Sequence, residues 1–184
     1  METFDKTKNP SLLKAECHLF LAYKDNKIVG KLAAIINWDE VNLLGKQKVR
    51  FGWFDAIDDI EVTKALLAKV EELGKKHGLT QMEGPIGFSN LDKVGALTEG
   101  FDEKGNMITW YSKPYYKEHF KQLGLSIEKE YQESVHLFSH TSPLAILKPG
   151  LPKVRGKEDM MSSFFCFINY LNLFSSASTR LAFS

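Results

Sequence analysis

Residues 48–86, KVRFGWFDAIDDIEVTKALLAKVEELGKKHGLTQMEGPI, read as a strand, a helix and a second strand with almost nothing between them. In 48–57, Val49, Phe51, Trp53 and Ile57 fall on one face of a strand, and Phe54 and Ala56 on the other. A strand that is apolar on both faces belongs inside a covered sheet. Asp58 and Glu61 then have the spacing of a capping box, with Asp58 as N-cap. Val62, Leu66, Val70 and Leu73 follow at helical intervals, the lysines and glutamates lie off that stripe, and Gly78 supplies a stop. Residues 80–86 re-enter as a short strand. A helix of this length between two strands is a right-handed crossover, so the strands are expected to run parallel. They are also expected to diverge at their C-terminal ends, opening a cleft beside Ile57 and Pro85.

Upstream of this unit, residues 18–23 and 28–37 are apolar runs joined by Lys24-Asp25-Asn26-Lys27, which is a hairpin turn in which Asn can take a positive φ. Residues 38–47 read as a polar connection. Downstream, residues 87–112 form a glycine-punctuated stretch with a short strand at 107–111, and a loop of that length is usually functional. A second helix follows at 115–123 with Tyr116, Phe120 and Leu123 on its buried stripe, and residues 126–138 read as a charged edge strand. The expected core is Leu19, Leu21, Val29, Ile35, Phe51, Trp53, Leu66, Val70, Leu73, Phe120 and Leu123.

The fold class is therefore α/β (α+β), with a mixed, mostly antiparallel sheet around one central parallel pair. Residues 1–140 read as one domain. Residues 141–184 read as a linker and an atypical Ser- and Phe-rich tail that adds little to the fold.

Composition excludes several classes. The chain of 184 residues has a net charge of +1, without the basic excess of a nucleic-acid binder. Its most apolar run, 164–174, is too short to span a bilayer as a helix. The charged N-terminus has no apolar core of a signal peptide, and Cys17 and Cys166 form neither a disulfide framework nor a metal pair. The expected location is cytoplasmic, with no membrane and no nucleic-acid partner. His136 and His140 have a helical metal spacing but sit in strand-like sequence with no acidic or Cys companion, so no metal is expected. Asn90, Trp110 and Tyr111 combine polar and aromatic character, as a substrate pocket does, although the two aromatics suit a hydrophobic rim equally well.

The order hairpin, central strand, helix, strand, helix, edge strand resembles the GNAT (GCN5-related N-acetyltransferase) superfamily. FLAYKDNKIVGKLAAI (20–35) is similar to the family's second-and-third-strand hairpin. YYKEHFKQLGLSIEKEY (115–131) is similar to its late helix and the strand that follows. More narrowly, FGWFDAIDDIEVTKALL (51–67), MEGPIGFSN (82–90) and GFDEKGNMITWYSKPYYKEHFKQLGL (100–125) resemble a group of bacterial GNAT-like proteins. In that group such a region lies within a longer chain, sometimes beside a second GNAT-like domain. The resemblance covers residues 9–130. It implies a GNAT-like fold, acyl transfer from an acyl-CoA-type donor to an amine, and a second GNAT-like domain or subunit as a possible partner.

Three departures accompany it. Fewer than twenty residues precede the hairpin, so the family's first strand and helices are expected to be absent. The family's glycine-rich pyrophosphate loop falls on Ile57-Asp58-Asp59-Ile60-Glu61, which carries carboxylates and no glycine. By position the resemblance makes Asp55, Ile57 and Asp59 the cofactor-binding residues, with acidic charge opposing a phosphate there. The family's acid, a Tyr four residues before the helix-ending Gly, falls on Phe120, leaving Tyr116 one turn earlier as the candidate catalytic acid. A Tyr on a buried stripe is more often core packing. The alternative function is a non-catalytic GNAT-like domain that packs on another domain or subunit.

Overall fold

The computed structural model of the chain describes residues 2–89, 92–103, 111–134 and 161–170. Two short 3-10 turns, Glu2–Phe4 and Pro10–Leu13, lead into a hairpin of β1 (Ala15–Lys24) and β2 (Lys27–Asn37). Asp25 and Asn26 both take positive φ (51° and 59°), the conformation of a two-residue hairpin turn that follows the natural strand twist. Helix α1 (Trp38–Leu44) occupies the segment expected to be a polar connection. Asn37 caps it by accepting from the Asp39 and Glu40 N–H groups.

The central unit is β3 (Lys48–Ala56), α2 (Ile60–Lys76) and β4 (Gln81–Gly84). Strands β3 and β4 are parallel, pairing Lys48 with Gln81, Val49 with Met82 and Arg50 with Glu83. Ordered pairing ends at Arg50, well before the end of β3, so the last residues of β3 run on without β4 beside them. Next come β5 (Ala96–Leu97), α3 (Tyr115–Gln122), β6 (Ser126–Ser134) and β7 (Met161–Tyr170). Among the described residues the sheet has seven strands in the order β1-β2-β3-β4-β7-β5, with β6 also pairing with β7. This mixed sheet, with one parallel pair among the described strands and a crossover helix, is the GNAT-like fold that the resemblance implies.

Helix α2 lies on the sheet because its stripe is apolar. Val62, Leu66, Val70 and Leu73 are all buried in the main core, and each contributes about 1.5–3 kcal/mol of burial. The helix approaches so closely at Gly30 that an added Cβ would lie 2.9 Å from Leu66 Cδ1. The cap is Asp59 rather than Asp58: its side chain accepts from the Glu61 N–H.

One β-bulge corrects the face assignment of β3. Lys31 pairs with Asp55 but Ala33 with Gly52, so Trp53 and Phe54 oppose a single residue of β2, and Trp53 takes φ 48°. The bulge turns Phe54 and Ala56 to the α2 side with Val49 and Phe51. Trp53 packs on the opposite face against Phe4 and Phe88, and Ile57 is left exposed. On that opposite face, Arg50 is buried and donates to Glu40 at 2.8 Å and to the Phe88 carbonyl at 2.9 Å, and Lys48 pairs with Glu83. Two cations and two carboxylates thus tie α1 and the 87–88 segment to the parallel pair.

Two further expectations are corrected. Leu19 and Leu21 are not core: they are 58% and 41% exposed, because the small cluster around Leu12 that covers Ala15 and Cys17 on the same face of β1 does not reach them. Strand β7 comes from the segment set aside as linker and tail, yet it pairs antiparallel with β4, β5 and β6. Residues 107–110 of the strand expected at 107–111 and the histidines 136 and 140 lie outside the described residues, and Tyr111 is in no strand. No helix among the described residues is long and apolar enough to cross a membrane.

Candidate functional site

Where β3 continues past its pairing with β4, a cleft of about 420 Å³ opens beside β2 and the start of α3. Asp55, Ile57, Ile28, Lys31, Lys113 and Tyr115 are among its walls. Ile57 lines this cleft, but the expected place is corrected: the cleft lies between β2, the end of β3 and α3 rather than between β3 and β4, because the chain after β4 stays beside β3 through the bond from the Ile86 N–H to the Phe51 carbonyl, and Pro85 is not part of it.

Helix α3 brings two consecutive tyrosines to the end of β3: Tyr115 lines the cleft and Tyr116 is buried beside it. The Tyr116 hydroxyl donates to Asp55 Oδ1 at 2.6 Å and accepts from the Ala56 N–H at 3.1 Å. The Tyr115 hydroxyl donates to the Ala56 carbonyl at 2.8 Å. Tyr116 is only 3% exposed, and burial first, then its bond to Asp55, pushes its phenol above the ordinary tyrosine value. Burial also raises Tyr115, with the charges of Asp58 and Asp55 adding to the effect. Both phenols are therefore protonated donors at neutral pH. Behind them Phe120 is fully buried, with its ring centroid 5.7 Å from Phe51 and 5.2 Å from Phe54. The position that the resemblance gives to a catalytic acid is filled by an aromatic cluster.

The N-terminus of α2 is occupied by the chain's own groups. Asp59 Oδ1 accepts from the Glu61 N–H at 3.0 Å, and the Asp59 carbonyl accepts from the N–H groups of Val62 and Thr63. Lys24, from the end of β1, donates to Asp59 Oδ2 at 2.9 Å and holds that carboxyl below its ordinary value. Asp58 points instead to α3, where its Oδ1 lies 3.2 Å from His119 Nε2, and His119 Nδ1 meets the Thr63 hydroxyl at 2.9 Å. Thr63 is fully buried, so this chain of groups ties α2 to α3 and leaves no nucleophile open to a substrate.

Of the residues singled out in the sequence, the structure gathers Asp55, Ile57 and Tyr116 at one place, with Asp59 just beyond at the helix N-terminus. Tyr111 is 60% exposed and does not line the cleft. Asn90 and Trp110 lie outside the described residues. Lys24, Lys31 and Lys113 were not foreseen, since each reaches the site from an element distant in sequence. Cys17 is no nucleophile: burial raises its thiol to about 11. Among the described residues no cluster of three or more His, Cys, Asp or Glu could hold a metal.

No family model matches the chain. It is 34% identical over 117 residues to Protein YghO of Escherichia coli (strain K12), which covers 64% of this chain and 30% of that protein. It is 31% identical over 110 residues to the bacterial ceramide synthase of Caulobacter vibrioides, which covers 58% of this chain and 28% of that protein. The matched region thus spans less than a third of these curated relatives. Among solved structures it is similar to the aminoglycoside 6'-N-acetyltransferase of Enterococcus faecium, with a TM-score of 0.41 and 12% identity over 94% of this chain and 81% of that one.

Proposed function

We propose that the chain serves acyl transfer from an acyl-CoA-type donor to an amine, as a GNAT-like module that does not itself grip the donor's pyrophosphate. The observation that carries this reading is the self-capped N-terminus of α2. The N–H groups of Glu61 and Val62, which an anion would use there, already bond to Asp59, and Asp58, Asp59 and Glu61 place negative charge around them. Acyl transfer as the class is supported by the fold and by the Caulobacter relative, which is named for making ceramide, an amide of a long-chain amine.

In such a reaction the amine nitrogen forms a C–N bond to the thioester carbonyl carbon, the C–S bond breaks, and the ammonium proton is lost to a base. Asp55 is the charged acceptor in the cleft, and Tyr116 fixes its orientation through the 2.6 Å bond. In this reading Tyr116 positions Asp55 and the end of β3 rather than delivering a proton to the thiolate.

The test is amide formation by the chain with a long-chain acyl-CoA and a long-chain amine. The expected result is a slow rate that rises in proportion to donor concentration and does not saturate in the micromolar range. Saturating turnover at micromolar donor would contradict the proposal. A second reading, a non-catalytic domain packed on another domain or subunit, is favoured by the same capped helix and by the buried Phe120. Absence of any amide at millimolar donor would select it.

A further inference from the structure

We infer that the cleft seats an acceptor amine carrying its own acidic group, with the ammonium on Asp55 and the acid held by Lys31 and Lys113. This rests on the proposed acyl transfer and names the acceptor class that such a transfer would use.

The charged walls of the cleft are one carboxylate, Asp55, and two ammonium groups, Lys31 and Lys113. Lys31 stands directly across from Asp55 in the register of β2 and β3, so the two side chains share a face of the sheet. Lys113 reaches the cleft from the other side, two residues before α3 begins. Among the described residues the fold does not use up either cation. The Lys31 ammonium is in no ion pair, and Lys113 Nζ lies over the Tyr111 ring at 6.0 Å from its centroid. Asp58 faces His119 and Lys24 is bonded to Asp59, and none of these four lines the cleft.

Charge balance decides which amine fits. Two cations against one carboxylate leave the walls with a net positive charge. A bare alkylammonium drawn to Asp55 would meet the Lys31 ammonium beside it and add a third cation. An amine with a carboxylate or phosphate on the neighbouring carbon matches the walls instead. Directly opposed side chains have Cβ atoms about 4.5–5.5 Å apart, so adjacent opposite charges on the ligand can reach Asp55 and Lys31 together. The Tyr116 hydroxyl takes Asp55 Oδ1, which leaves Oδ2 for the ammonium. Ile28 and Ile57, both exposed apolar walls of the cleft, suit the hydrocarbon part of such an acceptor.

Calorimetry of the full chain with acceptors alone, and no acyl donor, tests this. The probes are nonylamine, the α-amino acid that adds a carboxylate to it, the amino-alcohol phosphate of the same chain, and decanoate. Both acidic amines are expected to bind about tenfold more tightly than nonylamine. The tighter of the two names the source of the acid, and either order supports the proposal. Lys31→Gln and Lys113→Gln are each expected to weaken the acidic amines by about fivefold and to strengthen nonylamine. Asp55→Asn, which keeps an acceptor for Tyr116, is expected to weaken every amine and spare decanoate. Nonylamine binding as tightly as the acidic amines overturns the proposal, as does no binding of any probe at millimolar concentration. So do lysine changes that move all four probes in the same direction. Displacement of the acidic amines by the adenosine bisphosphate end of coenzyme A, lost in both lysine variants, would also overturn it by making the lysines a donor-phosphate site. Amide formed from nonylamine as fast as from the acidic amines would leave acyl transfer standing and remove this acceptor class. Selective binding without any amide would keep the ligand class and remove acyl transfer.

Discussion

The phenolic oxygen of Tyr116 on α3 sits 2.6 Å from Asp55 Oδ1 near the end of β3, across 61 residues of sequence. The same oxygen accepts from the Ala56 N–H, so one hydroxyl fixes both a cleft carboxylate and the last peptide of the central strand. Tyr116→Phe removes both contacts in a buried setting and leaves the Ala56 N–H without this partner. It is expected to cost about 1–3 kcal/mol. The melting temperature should then fall by several degrees, at about 2–4 °C per kcal/mol for a domain of this size. Thermal unfolding followed by circular dichroism checks this, and an unchanged midpoint would show that the bond is not stabilising.

Phe120 is fully buried among Phe51, Phe54 and Tyr116. Phe120→Tyr is expected to destabilise the chain by about 1–3 kcal/mol, because the new hydroxyl enters an aromatic cluster. It is also expected to add no acyl-transfer activity. A faster variant of undiminished stability would show that the position opens onto the reaction.

Asp59 titrates below its ordinary value of 3.8, first because of its bond from Lys24. A depressed carboxylate stabilises the fold above its unfolded-state value, and that contribution is lost as the pH falls through the lower folded-state value. Wild type should therefore melt above Asp59→Ala at pH 6 and converge with it in acid, below about pH 4. A difference that persists unchanged to pH 2 would assign the effect to something other than the carboxylate.

How much of this was legible in the sequence depends on where each signal was local. The β3–α2–β4 unit was legible because its strand is apolar on both faces and its helix stripe is regular. The bulge at Trp53 was not, because a positive φ on a tryptophan leaves no mark in an alternating pattern. Helix α1 was hidden because it buries only Val41, although Asn37 followed by Asp39 and Glu40 was a cap signal. Leu19 and Leu21 carry the alternation of core residues, and only the structure reveals that the cluster covering Ala15 and Cys17 stops short of them. In the site, Asp55, Ile57 and Tyr116 came from position in the fold. Lys24 beside Asp59 depends on a contact across 35 residues, which no local pattern encodes.

Strand β7 was missed because a Pro- and Gly-rich segment precedes it and drew its uncharged run into the reading of a tail. Its backbone pairs Phe167 with Gly84 of β4 and Ile127 of β6, and Phe165 with Ala96 of β5. Deleting residues 149–184 is therefore expected to lower the melting temperature by far more than the few degrees that about 1 kcal/mol produces. A midpoint left in place would show that β7 adds no stability.

Isothermal calorimetry with acetyl-CoA asks directly whether the α2 N-terminus is closed to pyrophosphate. The unmodified chain is expected to show no saturable micromolar binding. Asp59→Gly with Glu61→Gly, which frees the Glu61-position N–H and releases Lys24, is expected to gain affinity. Saturable micromolar binding to the unmodified chain, about 8 kcal/mol, weakened rather than improved by the double change, would contradict it and make this turn a working cofactor site.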